Sequence, residues 1–208
     1  MKEVWYQGKN EVLSGNLKKK YKSLEPILEL MAPSRSVLDI GCNGGAVSML
    51  SAKYGASKVV GIDKREYVIN QARIGTKVWA KKGFLSDKSI ISYHNGNLVD
   101  NLSLVDEADF LILVRVIYHL REEALTLFER IKNRDDMIIL VQGNPRRAAK
   151  PEADKTAIGN KLAFSPAIAS FLQSYNFVTT ELKNEVVIAK HKNSSFDLDK
   201  IKARCTAR

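Results

Sequence analysis

A chain of 208 residues that is 45% hydrophobic can bury one sizeable core, which excludes an intrinsically disordered class. No apolar run reaches the roughly 20 residues that cross a bilayer and the N-terminus lacks a signal-peptide pattern, so a soluble, cytoplasmic protein with no membrane partner is expected. With 33 Lys plus Arg against 23 Asp plus Glu the formal charge is +10, which favours an anionic partner, and the two cysteines, Cys42 and Cys205, are too few for a disulfide framework.

The first segment, 1–35, holds Trp5, Tyr6 and the basic cluster Lys18, Lys19, Lys20 and Lys22. The aromatics either pack on the domain edge or cover a ligand; the lysines make either a solvated face or a phosphate contact. Ser23 is a helix cap by residue type, Pro26 suits the first turn, and Leu24, Ile27, Leu28 and Met31 share an apolar face. The segment reads as a cap over a sheet.

Val37 to Ile40 has the character of a buried strand, a glycine-rich turn follows, and Ala46 to Ala52 continues as an apolar helix. A helix N-terminus offers unpaired amides and partial positive charge, and glycine removes the Cβ that keeps a ligand off the backbone. A dinucleotide fingerprint needs Gly-x-Gly-x-x-Gly; counted from Gly41 this chain has Gly41, Asn43 and Ala46, without the middle glycine. An ordinary strand-to-helix turn is a second alternative. Lys58 to Asp63 is the next buried strand and ends in a carboxylate, where a βαβ unit holds an acid against ribose hydroxyls; Asp63 could equally cap the helix that starts near Arg65.

The run Asp39-x-Gly41-x-Asn43-x-Gly45 resembles the Asp-x-Gly-x-Gly-x-Gly motif of class I S-adenosylmethionine (SAM)-dependent methyltransferases, with Asn at the middle glycine. The resemblance implies SAM as cofactor and S-adenosylhomocysteine as product. Asp39 would face the ammonium of SAM, directly or through water, the turn amides its carboxylate, and Asp63 its ribose. The cofactor site implied also takes in Cys42, Lys64, Asn97, Leu98, Val114 and Arg115.

A half-exposed helix is expected from Glu66 to Lys82, with Val68, Ala72 and Val78 inward, and a third strand from Ser89 to His94. In the family the junction after this strand commonly carries Gly-Asp against the adenine amino group. Here Asn97 stands in that place, where its amide oxygen can still accept; an Asx turn is the alternative. Ala108 to Val114 is a continuous apolar run and the expected central strand, followed by Arg115 to Leu120 and a helix from Glu122 to Lys132. Val-Ile-Tyr-His-Leu resembles the loop after the fourth strand in methyltransferases acting on small molecules and RNA bases. Tyr118 and His119 are therefore the catalytic candidates, His119 as general base or orienting group, with a capping or core histidine as the alternative.

Asp136 to Gln142 is a fifth strand, and the polar, basic stretch 143–164 reads as a substrate lid whose Arg146, Arg147, Lys150, Lys155 and Lys161 suit phosphates. Ser165 as cap and Pro166 in the first turn open a helix to Tyr175, and Phe177 to Leu182 with Glu185 to Lys190 alternate as a hairpin around Lys183-Asn184. The expected fold is α/β: a doubly wound, mostly parallel seven-stranded sheet with a C-terminal antiparallel hairpin and helices on both faces. It fills one domain over 1–190, followed by a basic tail, 191–208, held loosely or as a short surface helix. No Cys/His cluster has metal-ligand spacing, so no metal is expected. The acceptor stays open between RNA, favoured slightly by charge, and a small molecule, with nitrogen, oxygen or carbon receiving the methyl group; a non-catalytic binding subunit of the same fold is the rival.

Overall fold

The apolar runs form strands and the amphipathic stretches between them form helices. The structure, a computed structural model, describes residues 4–6, 12–14, 21–85, 90–144 and 162–206. It divides into two units, Met1–Ala108 and Asp109–Arg208.

In the first unit, β1 (Val4–Tyr6) and β2 (Val12–Ser14) make a small antiparallel pair that the sequence did not announce. Helix α1 (Glu25–Met31) buries Ile27, Leu28 and Met31. Next come β3 (Ser36–Ile40), α2 (Ala46–Lys53), β4 (Lys58–Asp63), α3 (Glu66–Lys81) and β5 (Ile90–Asn95). Each helix returns the chain to the start of the next strand, so the strands run parallel, with β4 between β3 and β5. Residues Ala46 to Ala52 of α2 are all buried, its two serines hydrogen-bonded to Asp39 and to the Val47 carbonyl. The inward stripe of α3 runs through Val68, Ile69, Ala72, Gly75 and Trp79. Trp79 takes the core place expected of Val78, its ring meeting Phe84 edge-on at 5.7 Å. A 3-10 turn (Val99–Asn101) and the short α4 (Ser103–Asp106) close the unit.

The second unit holds β6 (Phe110–Val114), α5 (Ile117–Leu120), α6 (Glu122–Ile131), β7 (Ile138–Gln142), α7 (Ser165–Gln173), β8 (Phe177–Leu182), β9 (Val186–His191) and α8 (Leu198–Thr206). Strand β7 is buried throughout, the pattern of a strand covered on both faces, and pairs parallel with β6 and antiparallel with β9. The β8–β9 hairpin turns with Asn184 and Glu185 at φ 63° and 57°. Phe128, fully buried, meets Phe171 and Phe177 edge-on at 5.2 and 6.4 Å. Of the two expectations for the C-terminus, the helix is found: α8 buries Leu198 and Ile201. The seven strands β3 to β9 are those of the expected doubly wound, mostly parallel sheet with its C-terminal antiparallel hairpin.

Two helix starts differ from expectation. Ser23 does not cap α1, because residues 21–24 already turn on themselves: the Leu24 amide donates to the Tyr21 carbonyl, and Leu24 holds the cap position in helical geometry. Ser165 is the first residue of α7, not its cap, and its amide donates to the Glu185 carboxylate at 2.5 Å. A charged acceptor at a helix N-terminus outcompetes a hydroxyl. Among the described residues no helix is long and apolar enough to cross a membrane, and no group of His, Cys, Asp and Glu is placed to hold a metal.

Candidate cofactor site

Most of the predicted cofactor residues lie in the first unit, around the carboxyl ends of β3, β4 and β5. Gly41, Asn43 and Gly45 take φ 71°, 51° and 74°. Asparagine tolerates this left-handed region better than other side chains, so the Asn that departs from the family motif still meets the demand of the turn. Gly45 has no substitute: a Cβ there would lie 2.5 Å from the Tyr93 hydroxyl and 2.9 Å from the Ala72 Cβ.

Asp39 is buried, and its Oδ2 accepts the Ser48 hydroxyl at 2.6 Å. Burial raises its pKa to about 7; bonds from the Ser48 side chain and amide oppose the rise, and the Asp63 charge adds to it. The side chain therefore braces the first turn of α2 while sitting near its titration point at neutral pH. Asp63 is the opposite case. Burial pushes its pKa up, but hydrogen bonds and charge from Arg65, with the Asn43 amide, outweigh that and hold it below the ordinary value of 3.8. Its Oδ1 accepts the Arg65 amide at 3.0 Å and Arg65 Nε at 2.9 Å; its Oδ2 accepts Arg65 Nη2 at 2.9 Å and the Asn43 amide at 3.1 Å. Asp63 is thus not the cap of α3 but holds the amide of Arg65, the residue in the cap position. The Asn95 side chain and the Gly96 amide hold the Asp63 carbonyl at 3.1 and 3.2 Å, joining the ends of β4 and β5.

The turn amides are partly spent. Those of Gly41 and Cys42 donate to the Ile62 carbonyl at 2.8 and 2.9 Å, and that of Asn43 to Asp63, so these three do not stand open toward a ligand carboxylate. The Cys42 thiol is pushed well above its ordinary pKa by burial and by the charges of Asp39 and Asp63, which keeps it protonated. It packs with Ile69, Ala72 and Tyr93 beneath the turn. Lys64 is exposed. Asn97 is exposed as well, its Nδ2 facing Asp100 at 3.4 Å and its carbonyl accepting Asn101 Nδ2 at 2.8 Å. The Leu98 side chain is buried, so its offer to a ligand is its backbone.

In the second unit, Val114 ends β6 and Arg115 follows at φ 58°, its amide donating to the Gln142 carbonyl at 2.8 Å. Tyr118 and His119 are neighbours in α5 with ring centroids 4.3 Å apart; Tyr118 is buried, with Asn144 Nδ2 donating to its hydroxyl at 3.3 Å. His119 is exposed, which removes the core-histidine alternative. The lid residues Arg146, Arg147, Lys150, Lys155 and Lys161, and the side chains of Trp5 and Tyr6, lie outside what the structure describes. Sequence reasoning missed Ser48, Arg65 and Asn95. The legible signals were a serine in the first turn of the helix after an acid-ended strand, and an arginine two residues beyond such an acid.

The residues fit an adenosyl-amino-acid ligand: a near-neutral buried acid and an ionised one stand at the ends of adjacent strands around a turn at positive φ. A methyltransferase domain model matches residues 38–135. The chain is 32% identical over 117 residues to a ribosomal protein L11 methyltransferase of Ruminiclostridium cellulolyticum, covering 52% of this chain and 36% of that protein. It is 36% identical over 73 residues to a probable protein arginine N-methyltransferase of Arabidopsis thaliana, covering 35% and 11%. The match thus spans about a third or less of these relatives' length. Among solved structures, magnesium protoporphyrin IX methyltransferase from Synechocystis PCC 6803 with bound SAM superposes with a TM-score of 0.56 at 18% identity, covering 84% of this chain and 79% of that one, a likeness of fold. Residues 38–135, just under half of the chain, thus match a methyltransferase domain, on a fold shared with the class I, Rossmann-like SAM-dependent methyltransferases.

Proposed function

We propose that the chain moves a methyl group from SAM to a nitrogen, oxygen or carbon nucleophile on an anionic acceptor, RNA in the first instance. The observation that carries the cofactor half is the pair of unlike acids at the ends of β3 and β4. Asp39 would hold the ammonium, Asp63 the ribose diol, and the Asn97 amide oxygen the adenine amino group, with Gly41, Cys42, Asn43, Gly45, Lys64 and Leu98 as their frame. Bound SAM supplies an electrophilic methyl on a sulfonium, so the protein's task is alignment and exclusion of water. Val114 and Arg115 would add to the cofactor side, and Tyr118 and His119 to the acceptor side, where exposed His119 can take the acceptor's proton. A single domain over 1–190 with a lid at 143–164 and a basic tail from 191 belongs to this reading. So does a cytoplasmic setting, in keeping with a chain that carries two cysteines in all.

The acceptor half rests on the +10 charge. The names of the relatives make a protein the rival acceptor, and a small molecule remains a third. A radiolabelled-methyl assay against total RNA, protein and small-metabolite fractions decides: nuclease-sensitive label is expected, protease-sensitive label would reassign the acceptor, and no label in any fraction favours a binding subunit.

A further inference from the structure

An ionised carboxylate has about four lone-pair positions, and at Asp63 all four are filled from within the chain. Two of the donors, the Asn43 and Arg65 amides, are backbone and cannot leave without dismantling the turn or the start of α3. The other two, Arg65 Nε and Nη2, belong to one guanidinium on a side chain that is 43% exposed, while the carboxylate it grips is 5% exposed. In that same position the guanidinium lies beside Tyr67, its Cζ 5.9 Å from the ring centroid, and Tyr67 is itself exposed, so an aromatic face is at hand for it on the solvent side. A ribose diol needs two acceptor positions, and the guanidinium holds the two that can be vacated. Resting on the cofactor reading, we propose that Arg65 is a displaceable occupant of the ribose position, so that it and the ligand's diol compete for Asp63 and Arg65 sets the affinity for adenosyl ligands.

Competition predicts that removing the guanidinium tightens binding. Calorimetric titration of S-adenosylhomocysteine into the full chain should give an affinity for Arg65→Ala about three- to tenfold tighter than the original, the scale of a partly exposed ion pair that no longer has to be broken. Arg65→Lys keeps the charge but cannot make the two-pronged grip, and should fall between. Both variants keep the two backbone donors on Asp63, and thermal melts report whether each is folded. An independent readout is the Arg65 Nε–Hε resonance in nitrogen-15 NMR, identified by its loss in Arg65→Lys, which should move away from its carboxylate-bonded position when the chain is saturated with S-adenosylhomocysteine. Equal or weaker binding by the folded alanine variant, or an unmoved resonance at saturation, overturns the proposal and leaves the cofactor reading standing. Absence of binding in both the original chain and Arg65→Ala overturns the two together.

Discussion

Asp39 and Asp63 are one side-chain type in opposite electrostatic states, and the difference is testable. The folded pKa of Asp39 is raised from 3.8 to about 7, so the folded state holds its proton more tightly than the unfolded chain does. Its contribution is greatest below the unfolded value and falls as pH rises through about 7, by about 4 kcal/mol over the full span. Asp39→Asn keeps an acceptor for Ser48 and removes the titration. Urea unfolding at a series of pH values should show a shallower loss of stability across that window, and an unchanged slope would contradict the assignment. Asp63 acts the other way, since its lowered pKa gives stability above the unfolded value that is lost as acid protonates it. Both acids were legible because a carboxylate at the end of an apolar strand is conspicuous. Arg65 and Ser48 stood at suggestive spacings, but which partner a buried acid takes depends on rotamers that spacing does not encode.

At the scale of elements, the turn between β3 and α2 owes its shape to the helix packed beneath it. Gly45→Ala would place a methyl 2.5 Å from the Tyr93 hydroxyl at φ 74°, and should cost about 2–4 kcal/mol. The Tyr93 hydroxyl also bonds Thr76 Oγ1 at 2.9 Å, so Tyr93→Phe should be destabilising alone yet less so in the Gly45→Ala background, since it removes the colliding oxygen. Additive melting shifts in the double variant would refute that coupling. In α5, exposed His119 leads to a different expectation: His119→Ala should slow methyl transfer by about 100-fold while leaving S-adenosylhomocysteine affinity unchanged. A fall in affinity would move His119 to the cofactor side. Strands were easy to find in the sequence because β3, β4, β6 and β7 are continuous apolar runs. Helix starts were harder, since the cap of α7 comes from Glu185, in the β8–β9 turn and far along the chain from Ser165.

For the molecule as a whole, charge is the property that bears on the partner. If RNA is the acceptor, its affinity should fall steeply between low and moderate salt as counterions are released, whereas a small-molecule acceptor would show little salt dependence. The fold class was readable because strand, turn and helix recur in order and the final hairpin carries its own alternation. The acceptor was not, because alignment of a reactive methyl group asks for no fixed set of catalytic residues. In the proposed reading Asp39 and Asp63 meet one adenosyl-amino-acid ligand, and calorimetric titration of S-adenosylhomocysteine into the original chain and Asp63→Ala is the direct test. Binding in the micromolar range, weakened at least about tenfold in a folded Asp63→Ala variant, is the predicted result. No heat of binding in the original chain, or equal affinity in the variant, would contradict it.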